Sequence, residues 1–290
     1  MILIKYIKKY LEGKKKNRIL LDLLKFNNEY RQKYPNLVAP IFDYIPTASK
    51  VYGLYEKEEL ESIEKLIKKY CKNKYIIDCG ANIGNHTIFF SKFAKKVFAF
   101  EPFYLNYECL KLNTDNKKNI KIYNIGLLNK KINKKIYITE GNLGSASVKK
   151  RNHYTSYTYA KFNKLDNFNE ILKKKISLIK IDVEDSELEL IAGASKVLKS
   201  KPIVIFEISD FILNDKFVSL LKKKFGYKFL YVLKKYDLSK YNFFVKILIR
   251  LFNILIYKKA LYKFDLVLAN STRERNCNSH FAIISSKKLT

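Results

Sequence analysis

The chain has 290 residues, 48% of them hydrophobic, and its 57 lysines and arginines against 27 aspartates and glutamates give a formal net charge of +30. This hydrophobic content supports a full core and excludes general disorder. The sequence has no uninterrupted apolar run of about 18 residues, the length that would predict a membrane-spanning helix. The charge is compatible with a polyanionic partner, but the lysines are spread along the chain, so an ordinary basic surface is the simpler interpretation.

The cysteines and the N-terminal segment indicate the compartment. None of the four cysteines, Cys71, Cys79, Cys109 and Cys277, lies in a C-x-x-C pair. Free buried thiols are therefore expected, with neither disulfides nor zinc. The N-terminal segment MILIKYIKKYLEGKKK is interrupted by lysines, unlike a signal peptide. We expect a cytoplasmic protein, with a peripheral contact at the inner membrane surface as an alternative.

Two regions are predicted along the chain: a basic N-terminal appendage at 1–50 and the main domain at 51–290. The main domain opens with a helix at Glu56–Tyr70, acidic at its start and basic at its end. Apolar strand patterns then alternate with helical patterns. The predicted strands are Lys74–Cys79, Lys96–Phe100, Ile120–Ile125, Lys134–Thr139, Thr158–Asp166, Ser177–Asp182, Pro202–Ile208, Tyr227–Leu233 and His280–Ser286. The predicted helices between them are Asn85–Lys95, Tyr104–Asn116, Glu187–Leu198 and Asn214–Phe225.

This alternation predicts an α/β protein with a doubly wound, mostly parallel sheet and helices on both faces. The continuous apolar strands fit burial on both sides. Two segments depart from the alternation. Glu140–Ser147, rich in small residues, is predicted to be a loop, and 234–279 is predicted to be an apolar helical insertion before the last strand.

The motif DCGANIG follows the first predicted strand, where ligands bind in doubly wound sheets. Gly80 permits a sharp turn out of the strand, and Gly84 lets the chain enter the next helix with bare backbone facing a ligand. The motif is not G-x-G-x-x-G, and the Asp78 carboxylate before it would repel a pyrophosphate. A ligand carrying an amino group and a sulfonium would be attracted to it.

A second carboxylate, Glu101, ends the second predicted strand, 21 residues after Gly80. A carboxylate at about this offset suits the two hydroxyls of a ribose. A ligand with a ribose, a cationic end and no pyrophosphate is S-adenosylmethionine (SAM). The alternative is a generic tight turn followed by a surface glutamate.

Five segments in register resemble the FkbM-type SAM-dependent methyltransferases: IIDCGANIGNHT, AFEPFYLNYECLKLN, GNLGSAS, KLDNF and LIKIDVEDSELELIAGA. The resemblance spans roughly residues 52–207. It implies the seven-stranded, Rossmann-like sheet of class I methyltransferases, SAM as cofactor and O-methylation, usually of sugars in glycans or natural products.

The resemblance also implies which residues contact the cofactor. Those expected at its methionine end are Asp78, Gly80, Asn82 and Gly84, and those expected at its ribose and adenine are Glu101, Phe103, Asn124 and Gly126. One position departs from the family pattern, because Asp185 stands where glycine is usual. If that position needs a positive φ, aspartate tolerates it better than most residues do.

The expected general base lies in the acidic segment KIDVEDSELE. Methyl transfer to a hydroxyl requires a positioned oxygen and removal of its proton. Asp182 and Glu184 precede the helix on the ligand side of the sheet and are the predicted catalytic residues. Asp185 and Glu187 are interpreted as acids favoured by the helix dipole.

Other groups remain open alternatives for the base. Glu207 ends the fifth predicted strand and is either an active-site carboxylate or a polar strand end. His86 is expected to cap the helix or face solvent near the cofactor, and His153 to be a solvated loop residue. The acidic set would accept Mg²⁺, but nothing in the sequence requires a metal.

The expected acceptor is a small molecule or a glycan, without specific nucleic-acid binding. A nucleic-acid methyltransferase, suggested by the net charge, and a non-catalytic membrane-surface protein that keeps the fold are the alternatives. The segment Phe243–Tyr257 predicts a helix with a wide apolar face, too short at ~22 Å to cross a ~30 Å bilayer core. It either packs in the core or makes a peripheral contact with anionic lipid.

Overall fold

The computed structural model describes residues 37–39, 55–139, 142–208, 211–235, 264–269 and 281–289. The strands in these ranges are β1 Tyr75–Cys79, β2 Lys96–Phe100, β3 Ile120–Tyr123, β4 Gly126–Leu127, β5 Ile132–Thr139, β6 Asn142–Ser147, β7 Ser156–Asn163, β8 Ile176–Ile181, β9 Ile203–Glu207, β10 Phe229–Lys235, β11 Phe264–Ala269 and β12 Phe281–Ser285. The α-helices are α1 Lys57–Tyr70, α2 Asn85–Ser91, α3 Tyr104–Thr114, α4 Asn169–Leu172, α5 Glu187–Gly193, α6 Ser195–Leu198 and α7 Phe211–Phe225.

The larger sheet has the strand order β11-β10-β12-β9-β8-β1-β2-β3. Strands β3, β2, β1, β8 and β9 run parallel to one another. The pairings β9–β12, β12–β10 and β10–β11 are antiparallel. The chain proceeds from β1 towards β3 on one side and from β8 towards β9 on the other, so the order reverses at β1. This confirms the predicted doubly wound sheet, and its switch point lies where the glycine motif leaves β1.

The central strands are buried on both faces, as their continuous apolar sequences predicted. Ile77 and Ile181 belong to a core cluster on one side of the sheet, whereas Ile76 and Leu178 belong to a cluster on the other. Alternate residues of one strand thus enter opposite cores. Two apolar layers hold the carboxyl ends of these strands in fixed positions.

The sheet has eight strands rather than seven, because β11 pairs antiparallel with β10 at its edge. The prediction of a helical insertion over 234–279 is therefore wrong at Phe264–Ala269. The apolar sequence FDLVLA is too short for its periodicity to distinguish a strand from a buried helix. Pairing with β10 makes it a strand. Residues 236–263 and 270–280, including the predicted helix Phe243–Tyr257, lie outside the described residues.

A second, four-stranded sheet has the order β4-β7-β5-β6. Its inner side chains, including Ile136 and Phe162, form a small core with Phe103. The prediction of a loop at Glu140–Ser147 is wrong for Asn142–Ser147, which form β6. Small residues have a low strand propensity, so the local sequence does not predict a strand here. Pairing with β5 stabilises it.

Most of the N-terminal appendage predicted at 1–50 lies outside the described residues. In the short described stretch, Val38 exchanges backbone hydrogen bonds with the Asn113 side chain on α3. No helix among the described residues combines the length and the apolar character needed to cross a membrane.

Candidate active site

A cleft of about 890 Å³, including its open mouth, lies at the switch point. The carboxyl ends of β1, β2 and β8 form one side of it. The small sheet forms the other with apolar side chains that include Ile136, Leu143 and Phe162. Its lining combines these apolar side chains with polar groups at the strand ends, as ligand sites do.

Gly80 makes the turn out of β1 with φ at +76°, in the left-handed region that favours glycine. A Cβ atom there would lie 1.7 Å from the backbone carbonyl oxygen of Asp182. Gly80 is thus required both by its φ and by the close approach of the chain leaving β8. The glycine turn therefore packs against the chain at the end of β8, and the ends of β1 and β8 together form the floor of the cleft.

The Glu101 carboxylate at the end of β2 is held by two backbone N–H groups. Asn82 N donates to Oε2 at 2.8 Å, and Phe103 N donates to Oε1 at 2.9 Å. Burial raises the pKa of Glu101 to about 7, although these N–H groups and the Lys180 ammonium oppose the rise. The carboxylate faces the cleft in a fixed orientation and retains lone pairs for two ribose hydroxyls.

The predicted cofactor residues divide into two groups. Gly80, Asn82, Glu101 and Gly126 line the cleft, whereas Asp78, Gly84, Phe103 and Asn124 are not among its lining residues. Residues of the second group make hydrogen bonds around the cleft without lining it. Asn124 donates to the carbonyl of Glu101, and Asp78 accepts a 2.6 Å hydrogen bond from Thr87.

Lys180 is a buried cation at the centre of the site, 3% exposed, on β8. Its ammonium donates to the carbonyl of Gly80 at 2.9 Å and lies 3.0 Å from Asp182 Oδ2 and 3.5 Å from Asp78 Oδ1. Burial alone would lower the pKa of Lys180, but Asp182 and Asp78 outweigh this and raise it. Lys180 therefore links the cofactor turn to the carboxylate predicted to act as base.

Three carboxyl groups gather at the ends of β8 and β9. Asp182, Glu184 and Glu207 each offer an oxygen within 4.8 Å of the others, close enough to hold a cation such as Mg²⁺. Burial opposes ionisation of Asp182, but Lys180 keeps its pKa below the usual range. Burial and the nearby negative charge of Asp182 raise the pKa of Glu184 to about 8 and that of Glu207 to about 10. At neutral pH, Asp182 is the ionised member of the cluster.

The turn after β8 is unusual because two successive non-glycine residues have a positive φ: Glu184 at 47° and Asp185 at 74°. This confirms that the position where the family has glycine needs a left-handed conformation. The Asp185 side chain is 4% exposed and pairs with Arg151, which follows β6. Ser147 on β6 also donates to the carbonyl of Glu184 at 2.8 Å. The small sheet thus holds the turn that carries Glu184.

The family model described as Methyltransferase FkbM domain matches residues 78–229, just over half of the chain. The matched segment contains the end of β1 and the whole of β2, β8 and β9, which carry the cleft and its carboxyl cluster.

The chain belongs to the FkbM methyltransferase family.

Three crystal structures are similar to this chain. The FkbM methyltransferase from Methylobacillus flagellatus KT is 16% identical over 70% of this chain and 54% of that chain, with a TM-score of 0.41. A Streptococcus mutans protein, described as a methyltransferase in complex with SAH, is 16% identical over 64% of this chain and 93% of that chain, with a TM-score of 0.39. A SAM-dependent O-methyltransferase from Thermotoga maritima is 11% identical over 81% of this chain and 66% of that chain, with a TM-score of 0.44.

This chain thus spans about half the length of the Methylobacillus protein. No curated protein matches it at a significant level. SAM is the cofactor expected of a member of this family. The cleft fits that role because it places the Glu101 carboxylate beside the glycine turn, with an ionised carboxylate at the opposite end.

The structure places the two histidine candidates differently from each other. His86 was predicted to cap the helix or to face solvent near the cofactor, and the second alternative is wrong. The residue is buried, lines the cleft, and its Nε2 lies 2.9 Å from Glu56 Oε2. Packing of α2 against the end of β12 encloses its ring, which contacts Phe281 edge-on. His153 is exposed and contacts the Tyr154 ring, as a loop histidine was expected to be.

Sequence reasoning missed Lys180, although the sequence carries a signal for it. A lysine in the middle of the apolar strand ISLIKI is anomalous, because a buried charge needs a partner. Asp182 lies two residues further on the same face, and Asp78 is the register neighbour of Lys180 on β1. These two carboxylates are its partners.

Replacing Glu101 by glutamine is expected to weaken binding of S-adenosylhomocysteine (SAH) by about 1.5–3 kcal/mol, or roughly 10- to 150-fold in Kd, because charged hydrogen bonds to the ribose are lost. With the pKa at about 7, wild-type affinity should rise between pH 6 and pH 8 as the carboxyl ionises. Calorimetric titration of both proteins over this range measures both effects. Equal affinity and an unchanged pH dependence in the variant would remove Glu101 from the cofactor site.

Proposed function

We propose that this methyltransferase transfers the SAM methyl group to a sugar hydroxyl of a glycan or glycolipid. The observation that supports this most is the ionised Asp182 within a cluster of carboxyl groups at the cleft. A hydroxyl nucleophile needs a proton acceptor, and neighbouring carboxyl groups can hold the other hydroxyls of a polyol.

The chemistry divides between cofactor and protein. When bound, SAM supplies a methyl group activated by its sulfonium. The glycine turn at Gly80 and the Glu101 carboxylate would hold this cofactor, which would give up its methyl to the acceptor oxygen and leave as SAH. Asp182 accepts the hydroxyl proton, and Lys180, 3.0 Å away, keeps Asp182 ionised beforehand. Glu184, neutral below its pKa of about 8, can both donate to and accept from a second sugar hydroxyl.

The same carboxyl groups disfavour an anionic reacting group. A nucleotide brings a phosphate close to its reactive base, and Asp182, which lines the cleft, would place negative charge beside it. A neutral sugar ring meets no such repulsion. Nucleic-acid methylation is therefore the less favoured alternative.

The acceptor class is tested with trideuteromethyl-SAM and a panel of sugar glycosides, with RNA and DNA oligomers in parallel. We expect a mass increase on at least one glycoside, and the methyl at an oxygen by NMR. The Asp182→Asn variant serves as the negative control. Label on RNA or DNA, with none on any sugar, would contradict the proposal.

We also propose that the segment Phe243–Tyr257, outside the described residues, contacts anionic lipid and brings the cleft to a lipid-linked acceptor. On a helical wheel its remaining residues are Phe, Ile, Leu or Val, and its polar residues fall on one side: Lys246, Arg250, Asn253 and Tyr257. Wild type should float with anionic liposomes at low salt, and the double variant Phe244→Glu, Leu251→Glu should not float. Unfolding of that variant, measured by circular dichroism, would assign the segment to the core instead.

A further inference from the structure

The outer face of the small sheet carries exposed aromatic rings. Tyr157 and Tyr159 on β7 are 55% and 63% exposed. They lie two residues apart and therefore project from the same face of the sheet. Tyr137 is the register partner of Tyr157 on β5 and lies on that face as well. The opposite face, with Ile136 and Phe162, lines the cofactor cleft.

The rings form a continuous row. The centroids of Tyr157 and Tyr159 are 6.2 Å apart, those of Tyr137 and Tyr157 6.3 Å, and those of Tyr137 and Tyr154 6.1 Å. We call these four residues the tyrosine face. Aromatic rings at regular spacing offer successive flat apolar surfaces with polar hydroxyl tips.

Lysine side chains flank the tyrosine face along β5 and β7. The Lys135 ammonium lies 4.0 Å from the Tyr157 ring centroid and 5.8 Å from that of Tyr159. Lys161, two residues after Tyr159, is exposed. The strands β5 and β7, INKKIYIT and SYTYAKFN, contain no carboxylate. A ligand of this face is therefore expected to combine flat apolar patches with negative charge.

Hydrogen bonds through β6 connect Tyr154, at the end of the row of rings, to the active-site turn. The Tyr154 hydroxyl donates to the carbonyl of Ser145 on β6. Two residues along the same strand, the Ser147 hydroxyl donates to the carbonyl of Glu184, which lines the cleft. A chain lying on the tyrosine face would pass around the edge strand β6 to reach the turn that carries Glu184 and Asp185.

We propose that the tyrosine face binds an acidic oligosaccharide whose uncharged ring at one end enters the cleft. The proposal rests on sugar methylation as the function and assigns a surface to the rest of the acceptor. Sugar rings present C–H faces that stack on tyrosine, and carboxylate substituents pair with Lys135 and Lys161. Single-stranded nucleic acid also stacks on aromatic rings, but its phosphates continue up to the reacting nucleotide, where Asp182 would repel them.

The proposal is tested by calorimetric titration with three probes: a hexamer of galacturonate, a hexamer of glucose and a hexamer of uridylate. We expect the galacturonate hexamer to bind the wild type at least about tenfold more tightly than the other two. The double variant Tyr157→Ala, Tyr159→Ala should lose at least about tenfold in affinity for it. SAH binding should remain unchanged, because these two side chains lie on the sheet face opposite the cleft. The control Leu112→Ala removes a side chain that is 62% exposed on α3 and should change neither affinity.

A second variant, Lys135→Glu, keeps both rings, so loss of galacturonate binding there is independent of any folding defect in the double variant. Tightest binding of the uridylate hexamer, failure of the galacturonate hexamer to bind, or equal affinity in wild type and both variants would each overturn the proposal. Failure of the proposed function is distinguishable. In that case, the galacturonate hexamer binds the tyrosine face while no sugar acquires a labelled methyl group.

Discussion

Replacing Gly80 by alanine is expected to abolish detectable SAH binding and to lower the free energy of unfolding by roughly 2–5 kcal/mol. The left-handed φ of +76° accounts for ~1–2 kcal/mol of this. The remainder comes from the contact between the new Cβ and the carbonyl oxygen of Asp182, 1.7 Å away, which only a shift of the β1 or β8 backbone relieves. Urea denaturation and calorimetric titration with SAH measure the two effects.

Gly226→Ala is the matched control for the Gly80 variant. Gly226 also has a positive φ, +68°, but the nearest atom to an added Cβ is the mobile end of Lys201 at 3.2 Å. Its loss of stability should stay near the ~1–2 kcal/mol of the backbone effect alone, with SAH binding unchanged. If the two variants were equally stable and both bound SAH, the close approach of Asp182 to the glycine turn would have no role in forming the site.

Replacing Asp182 by asparagine is expected to reduce turnover by ~10²–10⁴ while leaving SAH affinity nearly unchanged, because the side chain keeps its shape but loses its basicity. Asp182 is the candidate that Lys180 keeps ionised at neutral pH. The measurement is single-turnover transfer of labelled methyl to an acceptor identified with the glycoside panel. Full activity of the variant would exclude Asp182 as the base.

Glu184→Gln separates the proton acceptor from its neighbours. Since Glu184 is largely protonated at neutral pH, its replacement should cost less turnover than that of Asp182 and should act mainly on the acceptor KM. Glu207 is the remaining carboxylate of the cluster. Loss of wild-type activity in EDTA, restored by Mg²⁺, would show that a cation bound by the three groups takes part. A larger turnover loss for Glu184→Gln than for Asp182→Asn would reverse the two roles.

Much of the fold could be predicted from the sequence because local patterns and tertiary context agree over the central sheet. The strand Lys96–Phe100 was predicted with the bounds that the structure has, and its apolar run is buried as parallel strands require. The left-handed turn at Asp185 was also predictable, since a position that usually holds glycine indicates a positive φ.

The missed elements depend on partners that are distant in sequence. Strand β6 forms from small residues with little strand propensity and pairs with β5, and β11 pairs with β10 at the edge of the larger sheet. Likewise, the buried His86 is explained by its neighbours Glu56 and Phe281, which local sequence does not bring together. Strand pairing and side-chain burial of this kind are set by tertiary contacts rather than by local propensity.

The most direct test of the account is a crystal structure of the protein with SAH. We predict that the ribose hydroxyls will lie within hydrogen-bond distance of the Glu101 carboxylate and that the sulfur will face Asp182 across the end of β8. SAH bound away from the glycine turn, or with its sulfur directed away from the Asp182, Glu184 and Glu207 cluster, would contradict the account.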